Sequence, residues 1–200
     1  MRMTRFLLIR HGQSEWNAAG KWQGQADPPL TDLGRTQAAT AAQSIGMVDA
    51  VVASDLERAA MTAHIIAEFV GIGPVMTTVA LRERDAGVWE GLTRSEIEQD
   101  YPGWLGEKRW PDSFESTSSA ADRAMLVLNA VADQFPDGDV LVVTHGGVIV
   151  AIEERLMGDV RQLYGNLGGM WIERLPTGKF RVGASVALLE GDLQTGSRQL

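Results

Sequence analysis

The stretch Phe6-Leu7-Leu8-Ile9-Arg10-His11-Gly12 joins an apolar run to three residues of chemical interest. The run 6–9 has the length and composition of a buried β-strand, and Arg10, His11 and Gly12 follow where such a strand would give way to a loop. Ligands of open α/β sheets bind outside the carboxyl ends of the strands. For a single Arg-His-Gly triplet, however, a strand that simply ends in polar residues is the better interpretation.

A second histidine stands in the same position relative to a second apolar run. Val140-Leu141-Val142-Val143 is followed by Thr144-His145-Gly146-Gly147. The chain has three histidines, so two of the three lie where a predicted strand meets glycine. Arg10 would place a planar fork of donors, suited to phosphate, beside the first histidine. The two junctions together therefore predict a functional site at one edge of the sheet.

The composition narrows the classes of protein and of site. A chain of 200 residues with 44% hydrophobic residues suits one domain with a substantial core. The lack of cysteine excludes disulfides, thiolate catalysis and cysteine-ligated metals, and three scattered histidines predict no metal site. The net charge of −8 argues against a nucleic-acid partner. The apolar run near the N-terminus is too short for a signal peptide or a membrane span, so we expect no membrane association and a cytoplasmic location.

Apolar β-rich runs alternate with helical patterns along the chain. The runs predict strands at 5–9, 50–53, 75–79 and 140–144, and the amphipathic patterns predict helices at 31–45, 55–70, 95–99, 120–135 and 148–157. Two further strands, 170–172 and 180–189, are expected to form a closing hairpin. This alternation predicts a single three-layer α/β domain over residues 1–200, with a mostly parallel central sheet flanked by helices.

Three segments need a separate interpretation. Residues 84–118 have little periodicity but hold three of the six tryptophans, which predicts a loop-and-helix insertion over the site. The last ten residues, from Gly191, are polar and are expected to be frayed. The hairpin at 168–189 would be exposed, which leaves a homodimer through this surface open.

Further motifs surround the two histidines. In chain order they are Leu8-Ile9-Arg10-His11-Gly12-Gln13-Ser14-Glu15-Trp16-Asn17 with Gln23-Gly24 beyond it, Ala53-Ser54-Asp55-Leu56-Glu57-Arg58-Ala59, Leu81-Arg82-Glu83 with Gly87-Val88-Trp89-Glu90-Gly91, and Val143-Thr144-His145-Gly146-Gly147. The ordered set resembles the histidine phosphatase superfamily, the phosphoglycerate mutase-like phosphatases, and covers residues 6–147. A weaker fifth match is Glu115-Ser116 with Arg123. Met61 departs from the family pattern, in which glutamine is expected.

The resemblance implies a catalytic set and a phosphohistidine intermediate. His11 would be the nucleophile, and His145 would donate to the phosphoryl oxygens as charge develops on them. Arg10 and Arg58 would clamp those oxygens through bidentate hydrogen bonds. Glu83 would protonate the leaving group and then activate water. Locally, Glu83 lies in a charged run that is equally consistent with a solvated surface.

The resemblance also implies residues that bind the substrate. Asn17, Gln23 and Gly24 match positions that contact phosphate or substrate, although a polar loop without a ligand explains them equally well. Gly146 would present its backbone N–H to the phosphate, or merely permit a tight turn. The N–H groups at the start of the helix that carries Arg58 would also favour an anion.

The segment after Glu83 resembles the phosphatase branch more than the mutases, which carry a longer insertion rich in basic residues and tyrosine. The sequence thus predicts a phosphomonoester hydrolase of the histidine acid phosphatase type, with no cofactor. Its partner would be a small-molecule phosphate ester, such as a sugar phosphate or a phosphoglycerate-type metabolite. Two alternatives stay open: a cofactor-dependent phosphoglycerate mutase, and an inactive phosphate-ester-binding or interaction module.

Overall fold

The computed structural model describes residues 3–159 and 162–190. The predicted frayed tail from Gly191 lies outside the described residues. No helix in these two ranges is long and apolar enough to cross a membrane.

Six strands of the described chain form one sheet. They are β1 (Thr4–Arg10), β2 (Ala50–Ser54), β3 (Met76–Thr78), β4 (Asp139–Thr144), β5 (Gly168–Arg174) and β6 (Phe180–Ala187). In the sheet order β3-β2-β4-β1-β5-β6, the first four strands are parallel, while β5 and β6 form an antiparallel hairpin beside β1. The prediction of a mostly parallel sheet with a closing hairpin is confirmed. The outer strand of this hairpin, β6, lies at the edge of the sheet. A homodimer through the hairpin stays a prediction.

Helices cover both faces of this sheet. The helices in chain order are α1 (Glu15–Ala18), α2 (Asp32–Ala42), α3 (Glu57–Val70), α4 (Arg94–Asp100), α5 (Thr117–Gln134) and α6 (Gly146–Met157), of which α2, α3, α5 and α6 pack on the sheet. Successive strand residues face opposite sides, so Phe6 and Leu8 pack with residues of α5 and α6, whereas Leu7 and Ile9 pack with residues of α2 and α3. The predicted three-layer arrangement is therefore confirmed.

Side-chain caps explain where two helices begin. α5 starts at Thr117, before the predicted residue 120, because the Ser116 side chain accepts a hydrogen bond from the Ser119 N–H. The helix α1 was not predicted. It is four residues long and depends on a capping box between Ser14 and Asn17, which leaves no periodic signal.

Two other elements are shorter than the sequence predicted. The pattern over 31–45 gives a helix that ends at Ala42, before the predicted end at residue 45. The run at 75–79 gives only the three residues of β3, since the chain turns into a single 3₁₀ turn at Val79–Leu81. That turn leads directly to Glu83.

Residues 84–118 contain α4 and otherwise pack as an aromatic cluster. The buried members are Trp22, Ala86, Trp89 and Ile97, with Leu92, Tyr101, Trp104, Leu105, Trp110 and Phe114 packed against them. The rings of Trp22 and Trp89 meet edge to face, with centroids 5.6 Å apart. Such aromatic pairs add about 0.5–1.5 kcal/mol each beyond the area that they bury. The cluster therefore ties this segment to the loop that follows α1.

Candidate active site

The two predicted histidines lie together at the carboxyl ends of the two central strands. β1 and β4 are adjacent and parallel, and their register pairs Arg10 with Thr144, so His11 and His145 leave the sheet side by side. Their ring centroids are 5.1 Å apart, with an angle of 63° between the ring planes. Both side chains are buried. The sheet thus brings together two groups that are 134 positions apart in the sequence.

The surroundings of His11 fix its tautomer. Its Nδ1 lies 2.6 Å from the carbonyl oxygen of Gly12, and a carbonyl can only accept, so Nδ1 carries the hydrogen. The lone pair is then on Nε2. Burial, and after it the positive charges of Arg58 and Arg10, lower the pKa of His11 well below 6.5. The ring is therefore neutral at physiological pH, with a nitrogen able to attack an electrophile.

The ring of His145 is buried without polar contacts. Neither of its nitrogens has a hydrogen-bond partner in the part of the chain that the structure describes. Burial lowers the pKa of His145 well below its ordinary value, and the charge of Arg58 lowers it further. An unmet buried polar atom costs about 1–3 kcal/mol. Such a group in a native protein calls for an explanation, and a ligand that pairs with it is one.

The two lowered histidine pKa values predict a loss of stability in mild acid. In the unfolded chain His11 and His145 take up protons as the pH falls below 6.5, whereas the folded chain holds them neutral. The free energy of unfolding is therefore highest above pH 6.5. Below that pH it falls by about 1.4 kcal/mol per pH unit for each histidine. Urea unfolding at pH 7.5, 6.5 and 5.5 measures this slope.

The exposed His64 supplies the control for that measurement. It lies on α3 with its Nδ1 donating to the carbonyl of Ala60. We expect His64→Gln to unfold with the same pH slope as the wild type, and His145→Gln to lose about half of the slope between pH 6.5 and 5.5. A free energy of unfolding that is flat over this interval would show that the two rings are not held neutral.

Two buried arginines flank the histidines. Burial lowers the pKa of Arg10 and of Arg58 to about 10, so both remain cations at neutral pH. The Arg10 Nη1 donates to the carbonyl of Tyr164 at 3.0 Å. The Arg58 Nη1 and Nη2 donate to the carbonyls of Ala26 and Gly24 at 2.7 and 2.9 Å. These bonds hold two positive charges beside a pair of neutral imidazoles, which favours an anion between them.

Glu83 lies beside the start of α6, the helix that follows His145. One carboxylate oxygen of Glu83 accepts a hydrogen bond from the backbone N–H of the neighbouring Arg84 at 2.8 Å. The other accepts from the backbone N–H of Gly147 at 3.1 Å. The side chain is half-buried and therefore does not belong to a fully solvated surface. Its carboxylate lies at the first turn of α6, directly after His145.

A clamp made of Glu115 and Arg123 holds the backbone at Glu83. Arg123 pairs with both carboxylate oxygens of Glu115 at 2.9 and 2.8 Å. The same guanidinium donates to the carbonyls of Ala80 and Glu83 at 2.9 and 3.1 Å. Glu115 also donates its backbone N–H to the Asp85 carbonyl. The weak fifth motif of the sequence thus fixes the segment that carries Glu83.

The predicted substrate-binding residues fall into two groups. Gln23, Gly24 and Gly146 line one cleft together with Arg10 and Glu83. The volume of the cleft, counted with the space that is open to solvent, is about 430 Å³. Its remaining lining residues, which the sequence did not predict as site residues, are Trp22, Arg84, Ala86 and Phe114. The side chains of His11, His145 and Arg58 are buried more deeply and are not part of this lining.

Asn17 is not among the residues that line the cleft, but it is linked to His11. Its side-chain oxygen accepts from the Ser14 N–H and from the Asn166 Nδ2, each at 3.3 Å. The Asn166 Nδ2 also donates to the His11 carbonyl at 2.9 Å. The side-chain oxygen of Asn17 is therefore tied to the backbone before α1 and, through Asn166, to the backbone of His11.

A brace from residues 164–167 was missed in the sequence. Leu167 donates its N–H to the Arg10 carbonyl at 3.0 Å, Asn166 bonds to His11, and Tyr164 accepts from Arg10. The brace fixes the backbone at the end of β1. It lies about 155 positions from His11, in a stretch without apolar periodicity, so no local pattern signals it.

The start of α3 is occupied by the protein's own carboxylate. The Asp27 side chain accepts from the Glu57 N–H at 2.7 Å. The anion at this helix start is therefore the Asp27 side chain. The helix start at the cleft itself is that of α6, where Gly146 is a lining residue.

The described residues offer no candidate metal site. Within residues 3–159 and 162–190, there is no group of three or more histidine, aspartate or glutamate side chains that could hold a metal ion. The two histidines are accompanied by cations instead, which disfavours a metal ion between them.

Comparison with known proteins places this geometry in context. The family model of the histidine phosphatase superfamily (branch 1) matches residues 6–168. Glucosyl-3-phosphoglycerate phosphatase of Mycolicibacterium vanbaalenii is 36% identical over 191 residues, covering 86% of this chain and 84% of that protein. Metal-independent phosphoserine phosphatase of Arabidopsis thaliana is 36% identical over 164 residues, covering 77% of this chain and 69% of that protein.

A solved structure agrees with these matches. The native structure of mycobacterial glucosyl-3-phosphoglycerate phosphatase superimposes with a TM-score of 0.81 at 29% identity. The superposition covers 90% of this chain and 97% of that one. The likeness therefore extends well beyond the motifs to the sheet and its helices.

Proposed function

The chain belongs to the histidine phosphatase superfamily (branch 1), and we propose that it hydrolyses phosphate monoesters of small metabolites through a phosphohistidine on His11. The observation that carries the proposal is the pair of buried histidines at adjoining strand ends, between the cations of Arg10 and Arg58. Relatives named as phosphatases of glucosyl-3-phosphoglycerate and of phosphoserine support a small phosphorylated metabolite as the substrate.

In the first half-reaction the phosphoryl group moves to the enzyme. The Nε2 lone pair of His11 attacks phosphorus, the bond to the ester oxygen breaks, and the protonated carboxyl of Glu83 gives its proton to that oxygen. Arg10 and Arg58 bind the equatorial oxygens, on which the charge is spread. A ring N–H of His145 donates to one of them, which supplies the partner that this buried ring lacks.

In the second half-reaction water takes the phosphoryl group. The Glu83 carboxylate accepts a proton from a water molecule whose oxygen attacks phosphorus, and the bond to Nε2 breaks. Phosphate leaves, and His11 returns to its neutral tautomer. Gly146 contributes its backbone N–H, while Asn17, Gln23 and Gly24 line the approach of the phosphate and the group attached to it.

The acid phosphatase type of this chemistry is part of the proposal. Burial lowers the pKa of His11, so its lone pair stays available below pH 6.5, where an exposed histidine would be protonated. Activity should therefore persist into mild acid, within the range in which the fold survives.

A panel of phosphate esters with a chelator tests the proposal. We expect purified protein in EDTA to release inorganic phosphate from p-nitrophenyl phosphate, phosphoserine and 3-phosphoglycerate, because the proposed charges come from side chains and not from a metal ion. The measurement is free phosphate, followed by addition of magnesium or zinc.

Each other outcome of the panel points elsewhere. Activity that vanishes in EDTA and returns with a metal ion would show the proposed mechanism to be wrong. Conversion of 3-phosphoglycerate to its 2-phospho isomer without release of phosphate would identify a mutase. Binding of esters with no turnover of any of them would leave the inactive binding module.

Two neighbouring glycines allow a sharp test of the position of Glu83. A Cβ added to Gly147 would come under 3.0 Å from a carboxylate oxygen of Glu83, so Gly147→Ala must displace that carboxylate. We expect turnover of an alkyl phosphate to fall roughly 10²-fold, since small misplacements of a reacting group cost about this much. Steady-state kinetics with phosphoserine measures the loss.

Gly146→Ala is the matched variant. A Cβ there would meet nothing closer than 3.6 Å, at the Arg10 side chain, and it leaves the backbone N–H in place. Both substitutions raise helix propensity equally, so the Gly147 variant should lose much more activity than the Gly146 variant. Equal losses would contradict the placement of Glu83 beside the reacting atoms.

A further inference from the structure

Arg84 is a buried cation that the proposed mechanism does not use. Its side chain is 8% exposed and lines the cleft next to Glu83 and Arg10. In residues 3–159 and 162–190 no carboxylate lies within ion-pair distance of its guanidinium. Burial lowers the pKa of Arg84 below its ordinary value, with the negative charges of Glu83, Glu115 and Glu154 acting in the opposite direction. A buried cation that no carboxylate pairs directly gains from an anion that enters the cleft beside it.

The guanidinium of Arg84 is held in one orientation. Its Nε and Nη2 both donate to the Glu115 carbonyl, at 3.1 and 2.7 Å. Its centre lies 4.8 Å from the ring centroid of Phe114 and 5.8 Å from that of Trp110. The remaining nitrogen, Nη1, makes no hydrogen bond to the described residues. A donor fixed in this way loses little entropy when a ligand binds to it.

Arg84 and Arg10, the second of which would bind the phosphate, lie beside the same first turn of α6. A Cβ on Gly146 would be 3.6 Å from the Arg10 Cδ, and a Cβ on Gly147 would be 3.3 Å from the Arg84 Cδ. Consecutive residues at the start of α6 thus face the two arginines in turn, with the Glu83 carboxylate at Gly147. An ester with its phosphate at Arg10 and its leaving oxygen at Glu83 would have its next few atoms at Arg84.

We propose that Arg84 forms a second anion subsite that binds a carboxylate on the leaving group. This deepens, and rests on, the proposed phosphatase function: the substrates are phosphate esters of small hydroxy acids, in preference to neutral sugar phosphates. One edge of the Arg84 guanidinium is already bonded to the Glu115 carbonyl. A carboxylate suits this arrangement because it can accept hydrogen bonds from the remaining edge alone. The protein's net charge of −8 repels a doubly anionic substrate, so a local cation is needed to hold it.

The test compares 3-phosphoglycerate with glycerol 3-phosphate, which differ only in a carboxylate in place of a CH₂OH group. We expect the wild type to prefer 3-phosphoglycerate in kcat/KM, and Arg84→Met to lower that value by about ten- to hundredfold. Turnover of glycerol 3-phosphate and of p-nitrophenyl phosphate should stay within about threefold, because methionine keeps the packing of the arginine stem.

Arg109→Met is the matched control, since Arg109 also stacks on a ring, 4.4 Å from the centroid of Trp104, but is exposed. We expect it to leave both esters unaffected. If Arg84→Met does not fold, Arg84→Lys decides, because it keeps the charge without the fork and should lose part of the preference. A wild type without preference, or equal losses on both esters, would overturn the subsite.

Binding separates a failure of the subsite from a failure of the phosphatase function. Calorimetry with His11→Ala protein should give tighter binding of 3-phosphoglycerate than of glycerol 3-phosphate. The double variant His11→Ala, Arg84→Met should bind the two esters equally. If the wild type turns over no ester but this binding preference is present, the phosphatase proposal fails and the subsite stands. If turnover is present without the preference, the subsite fails alone.

Discussion

His11→Ala is expected to abolish phosphatase turnover and, with it, all phosphate labelling of the protein. The substitution removes the nitrogen that attacks phosphorus in the proposed mechanism, and loss of a nucleophile costs about five or more powers of ten in kcat. The measurements are steady-state kinetics with p-nitrophenyl phosphate and retention of radioactive phosphate after rapid quenching in base. Phosphohistidine is stable in base and labile in acid, so the label should disappear on acid treatment.

The other two histidines supply the comparison for this variant. His64→Ala, on the exposed face of α3, should keep both turnover and label. His145→Ala should lose most turnover, because one of the donors to the phosphoryl oxygens is then missing, yet it keeps the residue that becomes phosphorylated. If the label is retained in His11→Ala and lost in His145→Ala, the roles of the two rings are the reverse of those proposed.

Glu83→Gln is expected to separate the two halves of the reaction. The amide keeps the shape of the side chain but neither donates nor accepts the required proton, so turnover of an alkyl phosphate should fall by roughly two to four powers of ten. p-Nitrophenolate leaves without protonation, so transfer of phosphate to the enzyme from p-nitrophenyl phosphate should suffer less. Water is still not activated, and the phosphoenzyme should therefore accumulate with that substrate.

Asp85→Asn is the control for a change of charge in the same segment. Asp85 is exposed, and its carboxylate accepts from the Gly87 N–H. This variant should behave like the wild type on both substrates. Small, equal losses for Glu83→Gln, with no accumulating intermediate, would return Glu83 to an ordinary surface charge and point to Asp85 or Glu90 as the acid.

The features that the sequence predicts well are those set by local pattern and parallel pairing. Two apolar runs, each followed by a histidine, predict neighbouring strands, and the pairing of Arg10 with Thr144 shows why the two rings meet. The predicted helix ends at 70 and 157 agree with the ends of α3 and α6, because Gly71 and Gly158 follow in the left-handed conformation that ends a helix. These signals are short in range and repeat along the chain.

The features that the sequence does not predict depend on single contacts between distant segments. The brace from Asn166 to the His11 carbonyl and the capping of α3 by Asp27 are individual hydrogen bonds with no periodicity to reveal them. The same holds for Arg84, which reads as one charge in a charged run. Only the packing of Phe114 and Trp110 and the carbonyl of Glu115 turn it into a buried, oriented cation.

The position of the trapped phosphoryl group tests the proposed chemistry most directly. Glu83→Gln protein mixed with p-nitrophenyl phosphate, quenched in base and digested, can be mapped by mass spectrometry under conditions that preserve phosphohistidine. The proposed mechanism predicts one phosphoryl group per chain, on His11. A phosphoryl group on His145 or on any other side chain, or complete hydrolysis without any covalent intermediate, would contradict it.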